Sequence, residues 1–255
     1  MRLTSSDVTA STSPFPPVPA FTAGAVPSAP PQGGEPGFLA ATRAAYDTVA
    51  VSYAALLADA LAESPHERAV LACYAELVRA GLPAGTRRAA RVAEIGCGPG
   101  RVTAHLAGLG LEARGIDLSP AMVAEARRRH PKLAFEVGSM TALALPTGSL
   151  DGLVAWYSVI HVPPSRHRGV YAGFHRVLRS GGLLLLGFQC GDERRRIEEG
   201  YGHAGLALDA YRLRPERVEQ DLAACGFATV SRTVREATGA EKTPQAYLIA
   251  RALEP

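Results

Sequence analysis

The stretch Glu94–Gly100, E-I-G-C-G-P-G, decides how the rest of the chain is read. It follows a short apolar run, Arg91–Ile95, and precedes a helical pattern, Arg101–Leu109. Gly96, Gly98 and Gly100 let a backbone turn sharply and approach a ligand without a Cβ in the way. The amides of the following helix start then face that ligand, at the positive end of the helix dipole. Twenty-one residues after Gly96, a second strand pattern, Glu112–Asp117, ends on a carboxylate. An acid at that place can accept both hydroxyls of a ribose.

Outward from this core the alternation continues. Pro120–Arg129 reads as a helix with proline in its first turn and Ser119 as its cap. Leu133–Val137 and Gly152–Tyr157 read as strands, Arg166–Leu178 as a helix, Leu183–Phe188 as a buried strand and Pro215–Cys225 as a helix. Strands that are apolar without alternation, separated by helices, predict a parallel sheet covered on both faces. Phe227–Val234 and Ala246–Ala250 read as strands with no helix between them, which predicts an antiparallel pair at the end of the sheet. Before the core, Phe38–Ala62 and Pro65–Ala80 carry apolar residues at helical spacing, with Ser64 and Gly81 placed to start and stop the second helix. Residues 37–85 therefore form a helical cap on a core over 90–255. Residues 1–36 hold eight of the chain's 19 prolines, Pro14, Pro16, Pro17 and Pro19 among them, and few large apolar side chains. Such a segment cannot offset its ordering entropy and is expected to be a flexible tail.

Composition narrows the function classes. A hydrophobic content of 47% in 255 residues fits a globular domain with a sizeable core. The net charge is +3 and no dense basic block occurs, which argues against a nucleic-acid partner. Cys73, Cys97, Cys190 and Cys225 show no CxxC pairing and no zinc-type spacing with histidine, so no metal is expected and a reducing cytosol suits them. No apolar run approaches a membrane span, and the first residues lack a signal-peptide pattern. The expected setting is cytoplasmic.

Which nucleotide the loop takes follows from details. The NAD fingerprint needs a third glycine where Arg101 stands, and the phosphate-loop lysine is also missing. G-x-G-x-G led by an acid, then G-I-D-L-S-P-A-M, F-E-V-G-S-M, L-D-G-L-V-A-W-Y-S and R-V-L-R-S-G-G-L-L-L-L together resemble the class I S-adenosylmethionine-dependent methyltransferases, in the small-molecule branch called type 11. The resemblance covers about Tyr46 to Arg251. It implies a Rossmann-like, doubly wound, seven-stranded, mostly parallel sheet with an antiparallel C-terminal strand pair. It also implies S-adenosylmethionine as cofactor, with Gly96, Cys97 and Gly98 along its methionine part and Glu94, Gly100 and Arg101 also among the residues that bind it. Asp117 would hold the ribose. Leu118, Met122 and Met140 would enclose the adenine, with Ser139 beside it where many relatives carry aspartate. Tyr46 and Tyr53, seven residues apart on one helical face, would cover the cofactor.

Methyl transfer from a sulfonium needs alignment and a dry site, and a base only where the acceptor must lose a proton. Ligands of open α/β sheets bind beyond the carboxyl ends of the strands, where Trp156, Tyr157, Ser158 and His161 fall. His161 is a candidate base or a residue fixing the turn before Pro163. Trp156 and Tyr157 are candidates for an aromatic wall, Tyr157 also for a catalytic contact. Beyond the Leu183–Phe188 strand, Gln189, Tyr201 and His203 are candidates for the acceptor rim, with His203 a second candidate base; the charges between them read as a solvated face. The expected acceptor is a small, partly apolar metabolite of bacterial secondary metabolism, methylated at oxygen. Methylation at nitrogen or a carboxylate, a cofactor-binding protein that senses or catalyses another step, and an NAD(P)-dependent oxidoreductase are the alternatives.

Overall fold

Strand β4 (Leu150–Trp156) is buried at every position, and β5 (Leu178–Gln189) is buried from Leu183 to Phe188. A strand covered on both faces has no use for alternation, which is why these segments read as unbroken apolar runs. The computed structural model describes residues 36–254. The expected tail, apart from Pro36, lies outside the described residues.

Seven strands form one sheet in the order β3-β2-β1-β4-β5-β9-β8, with β1 (Arg91–Ile95), β2 (Glu112–Asp117), β3 (Ala134–Val137), β8 (Phe227–Arg235) and β9 (Gln245–Ala252). β1 to β5 pair in parallel, while β9 runs antiparallel between β5 and β8. On one face α2 (Pro65–Ala80) and α3 (Arg101–Gly108) pack Tyr74, Val78, Val102 and Leu106 against Val92, Val154 and Leu185. On the other, α5 (His167–Val177) and α6 (Pro215–Ala223) pack Tyr171, Phe174 and Leu222 against Leu153, Leu184 and Leu186. Each fully buried leucine of β5 contributes roughly 2 kcal/mol.

Two buried polar side chains, Asp151 of β4 and Tyr74 of α2, anchor this packing. Asp151 of β4 is 1% exposed and bridges the guanidinium groups of Arg88 and Arg179 while accepting from the Arg91 amide at 2.8 Å. Burial pushes its carboxyl up, but those donors outweigh it and hold the pKa at about 2. Tyr74 donates toward the carbonyls of Leu153 (3.2 Å) and Leu183 (3.1 Å) across the lack of a side chain at Gly152, where a Cβ would lie 2.3 Å from the tyrosine oxygen.

Helix α1 (Gly37–Leu56) stops six residues before the expected Ala62. The chain turns at Leu57 so that buried Leu61 joins the cluster of Leu71 and Tyr74, a tertiary preference that helical spacing alone does not reveal. The segment after β5 keeps its charges exposed, as expected, but is a regular element and not an irregular rim. It folds into a separate two-stranded sheet of β6 (Arg194–Gly200) and β7 (His203–Tyr211), in which Gly200 faces His203. The two residues between them, Tyr201 (φ 54°) and Gly202 (φ 80°), have the left-handed conformations of a type I′ hairpin turn. Leu206 and Leu208 of β7 bury themselves against Ala45, Val49 and Ala50 of α1, while the arginines point outward. Among the described residues no helix is long and apolar enough to cross a membrane.

Candidate active site

Strand order reverses between β1 and β4, so the chain departs in opposite directions from their carboxyl ends and leaves a crevice there. The glycine loop lies in it. The amides of Gly96 and Cys97 bond the Ile116 carbonyl at 2.7 and 3.1 Å. Gly96 has φ 78°, and a Cβ there would meet the Cβ of Ser158 at 2.3 Å, so the loop and the end of β4 touch only because the residue is glycine. Ser158 fastens this contact by donating to the Ile95 carbonyl at 2.6 Å.

Asp117, 8% exposed, accepts from the Gly98 amide at 2.7 Å with one oxygen and from the Ser119 amide at 2.8 Å with the other. Burial pushes its carboxyl up, against the pull of those two amides. Each oxygen keeps a second lone pair for a further donor. Ser119 caps α4 (Pro120–Arg129) through the Met122 amide at 3.1 Å and donates to Asp47 of α1 at 2.5 Å. Asp47 also accepts from the Ala121 amide at 3.1 Å, so α1 is pinned to the start of α4 by a carboxylate placed at a helix N-terminus.

Together these elements enclose a cavity with about 720 Å³ of unfilled space, counting the part open to solvent. Its floor is Gly96, Gly98 and Asp117; Leu118, Met122, Ser139 and Met140 form one side, and Trp156, Tyr157, Ser158 and His161 the other. Helix α1 roofs it with Phe38, Leu39, Thr42, Tyr46 and Tyr53. Ser139 turns its hydroxyl to Thr141 at 2.8 Å. The indole N–H of Trp156 is buried and has no hydrogen-bond partner among the described residues.

The roof is tied to the far wall by one pair. His161 Nδ1 lies 2.8 Å from the Asp209 carbonyl and Nε2 lies 2.7 Å from the Tyr46 hydroxyl. A carbonyl only accepts, so Nδ1 carries the proton and the Nε2 lone pair accepts from Tyr46. Burial keeps the imidazole pKa below its ordinary value and raises that of Tyr46. Tyr46 meets Tyr53 edge to face at 5.9 Å, and Tyr53 meets Tyr201 at 4.8 Å.

Several sequence candidates fall elsewhere. Glu94 is 2% exposed beneath the loop, accepts from the Thr103 hydroxyl and is pushed up to about 8 by burial, against Thr103 and the nearby charge of Arg101. Cys97 faces Val123 and Phe135 in a small core cluster, because the loop turns that side chain toward the sheet. Gly100 (φ 82°) packs under Phe135, and Arg101 has one guanidinium nitrogen buried and without a hydrogen-bond partner. None of the four is at the cavity surface. His203 lies outside it as well: Ser52 donates to the Val49 carbonyl and so accepts from His203 Nε2 at 3.1 Å, tying the hairpin to α1. Tyr201 packs on the outside of Tyr53, and Gln189 lines a second cleft. The hairpin draws Tyr201 and His203 away, since its apolar side is spent on α1, while Gln189 ends β5 on the side of the second cleft. Leu39 and Thr42, which sequence reading passed over, were accessible to it: one step of seven back from Tyr46 and Tyr53 gives Leu39.

Residues 92–182 match the family described as methyltransferase domain. A demethylmenaquinone methyltransferase of Beutenbergia cavernae is 38% identical over 105 residues, which are 40% of this chain and 42% of that one. A trans-aconitate 2-methyltransferase of Methylobacterium nodulans is 50% identical over 99 residues, 38% of this chain and 37% of the other. The chain thus spans less than half the length of these curated relatives. The solved magnesium protoporphyrin IX methyltransferase of Synechocystis PCC 6803, with its bound cofactor, shares the fold at a TM-score of 0.63 and 17% identity, over 86% of this chain and 99% of that one.

Proposed function

We propose that this chain is a class I S-adenosylmethionine-dependent methyltransferase, a reading its matched domain and its fold support, and that it transfers a methyl group to an oxygen of a small molecule. The observation that carries the reading is the one cavity lined together by the glycine loop, Asp117 and the apolar group of Leu118, Met122 and Met140. The residues suit the cofactor: a floor without Cβ atoms for an amino-acid chain, a carboxylate with spare lone pairs for two hydroxyls, and flat apolar walls for a base. When bound, S-adenosylmethionine supplies a methyl group already activated by its positive sulfur.

The chain's own part is alignment, exclusion of water and proton removal. Helix α1 covers the cavity, with the hairpin packed on that helix, and Trp156 and Tyr157 place aromatic rings in its wall. Tyr46 and His161 act as one base. The acceptor hydroxyl gives its proton to the Tyr46 oxygen as the Tyr46 proton passes to His161 Nε2, and the Asp209 carbonyl stabilises the imidazolium through Nδ1–H. The depressed imidazole pKa leaves Nε2 unprotonated at neutral pH. A nitrogen or carboxylate acceptor would not need this pair. Incubating the protein with methyl-labelled cofactor and a panel of phenols, carboxylic acids and amines tests the reading. Label transferred to phenols supports it; label on none of the three classes overturns it.

A further inference from the structure

A second cleft, with about 860 Å³ of unfilled space counting the part open to solvent, opens on the other side of Tyr157. Tyr157 lines both cavities and is the partition between them. It is held there with φ 52°, a conformation costly for a tyrosine, by its amide on the Gly187 carbonyl at 2.8 Å and its hydroxyl near Tyr247 (3.0 Å) and Glu67 (3.3 Å).

The two cavities differ in charge. The acceptor side of the first is uncharged: Tyr46, Trp156, Tyr157 and a neutral His161. Arg195 and Arg212 of the hairpin side and Lys242 of the β8–β9 loop converge on the second, beside Gln189 and Gln245. Arg212 reaches Glu193 only at 3.4 Å, and its Nε is buried without a hydrogen-bond partner. Neither acid of the lining is hydrogen-bonded to Arg195 or Lys242. Of the two acids in the lining, Glu241 is neutralised by Arg235 at 2.5 and 2.6 Å, while Glu67 receives the neutral hydroxyls of Tyr157 and Tyr247, keeps its charge and offsets one of the three cations. Positive charge is left over in a concave site with a planar donor group in its wall, the arrangement that recognises a carboxylate or phosphate.

We propose that this cleft anchors the acidic group of an anionic acceptor, with Arg195, Arg212 and Lys242 holding the anion while the atom to be methylated reaches past Tyr157 into the first cavity. The inference rests on the methyl-transfer reading and assigns its substrate class: a small hydroxylated molecule bearing a carboxylate or phosphate. The test is calorimetry in two steps. The protein is first saturated with S-adenosylhomocysteine and then titrated with 4-hydroxybenzoate, its neutral methyl ester, and phenyl phosphate. The acids are expected to bind at least tenfold more tightly than the ester, and the ratio between them identifies the anion. Arg212→Gln, Arg195→Gln and Lys242→Gln should each weaken the acids severalfold while S-adenosylhomocysteine affinity stays within about twofold, which also reports that the variants are folded. Equal affinity for acid and ester, no saturable binding of either acid, or acid affinity unchanged in all three variants overturns the proposal. Failure at the first step, with no binding of S-adenosylhomocysteine, instead overturns the methyl-transfer reading.

Discussion

Replacing Tyr46 by phenylalanine separates two roles of the hydrogen bond that closes the cavity. The ring keeps its place against Tyr53 at 5.9 Å and only the hydroxyl is lost. His161 then keeps its Nδ1–H on the Asp209 carbonyl, and its Nε2 lone pair is left buried with no donor. Leaving a buried acceptor unpaired costs about 1–3 kcal/mol, so the urea midpoint should fall at unchanged slope. If the pair removes the acceptor proton, kcat for a phenolic acceptor should also fall by about 100-fold or more, the range of base catalysis. KM for the cofactor should move little, since Asp117 and the glycine loop are untouched. A drop in stability with kcat unchanged would show that Tyr46 and His161 only brace the roof, and would refute the proton route.

Other perturbations test the frame. Asp151→Asn removes the charge that Arg88 and Arg179 share inside the sheet and should destabilise the domain by about 3 kcal/mol in urea titration, an effect absent if the arginines find water instead. Gly152→Ala drives a Cβ to 2.3 Å from the Tyr74 oxygen and should cost about 1–3 kcal/mol, whereas a neutral result would mean that Tyr74 can withdraw freely. Glu94 is raised in the folded state to about 8, so it binds a proton more readily folded than unfolded. Its contribution is present at acid pH and is lost as pH rises through about 8. Wild type should therefore lose stability relative to Glu94→Gln between pH 6 and pH 9, and a constant difference would contradict the assigned protonation.

Strand–helix alternation made the sheet legible because β4 and β5 are buried on both faces and the caps at Ser64 and Ser119 carry their own local chemistry. The hairpin was not legible in the same way. Only Leu206, Leu208 and Ala210 of β7 are buried, while β6 exposes five of its seven residues, so its charges mask a strand whose clue is the Tyr201-Gly202 turn. In the site, the cofactor wall follows from chain-local motifs such as E-I-G-C-G-P-G and Asp117. The pairing of Tyr46 with His161 lies 115 residues apart in sequence and depends on how α1 docks through Asp47, which no local pattern encodes. The same docking explains why His203 braces α1 while His161 faces the cavity.

Trp156 is the one tryptophan of the chain and lines the cavity, so its fluorescence reports on that site. Titration with S-adenosylhomocysteine should change this emission saturably, with a midpoint of about 1 μM to 1 mM, the ordinary range for an enzyme's ligand. NAD⁺ should leave it unchanged. A saturable response to NAD⁺ with none to S-adenosylhomocysteine would contradict the account.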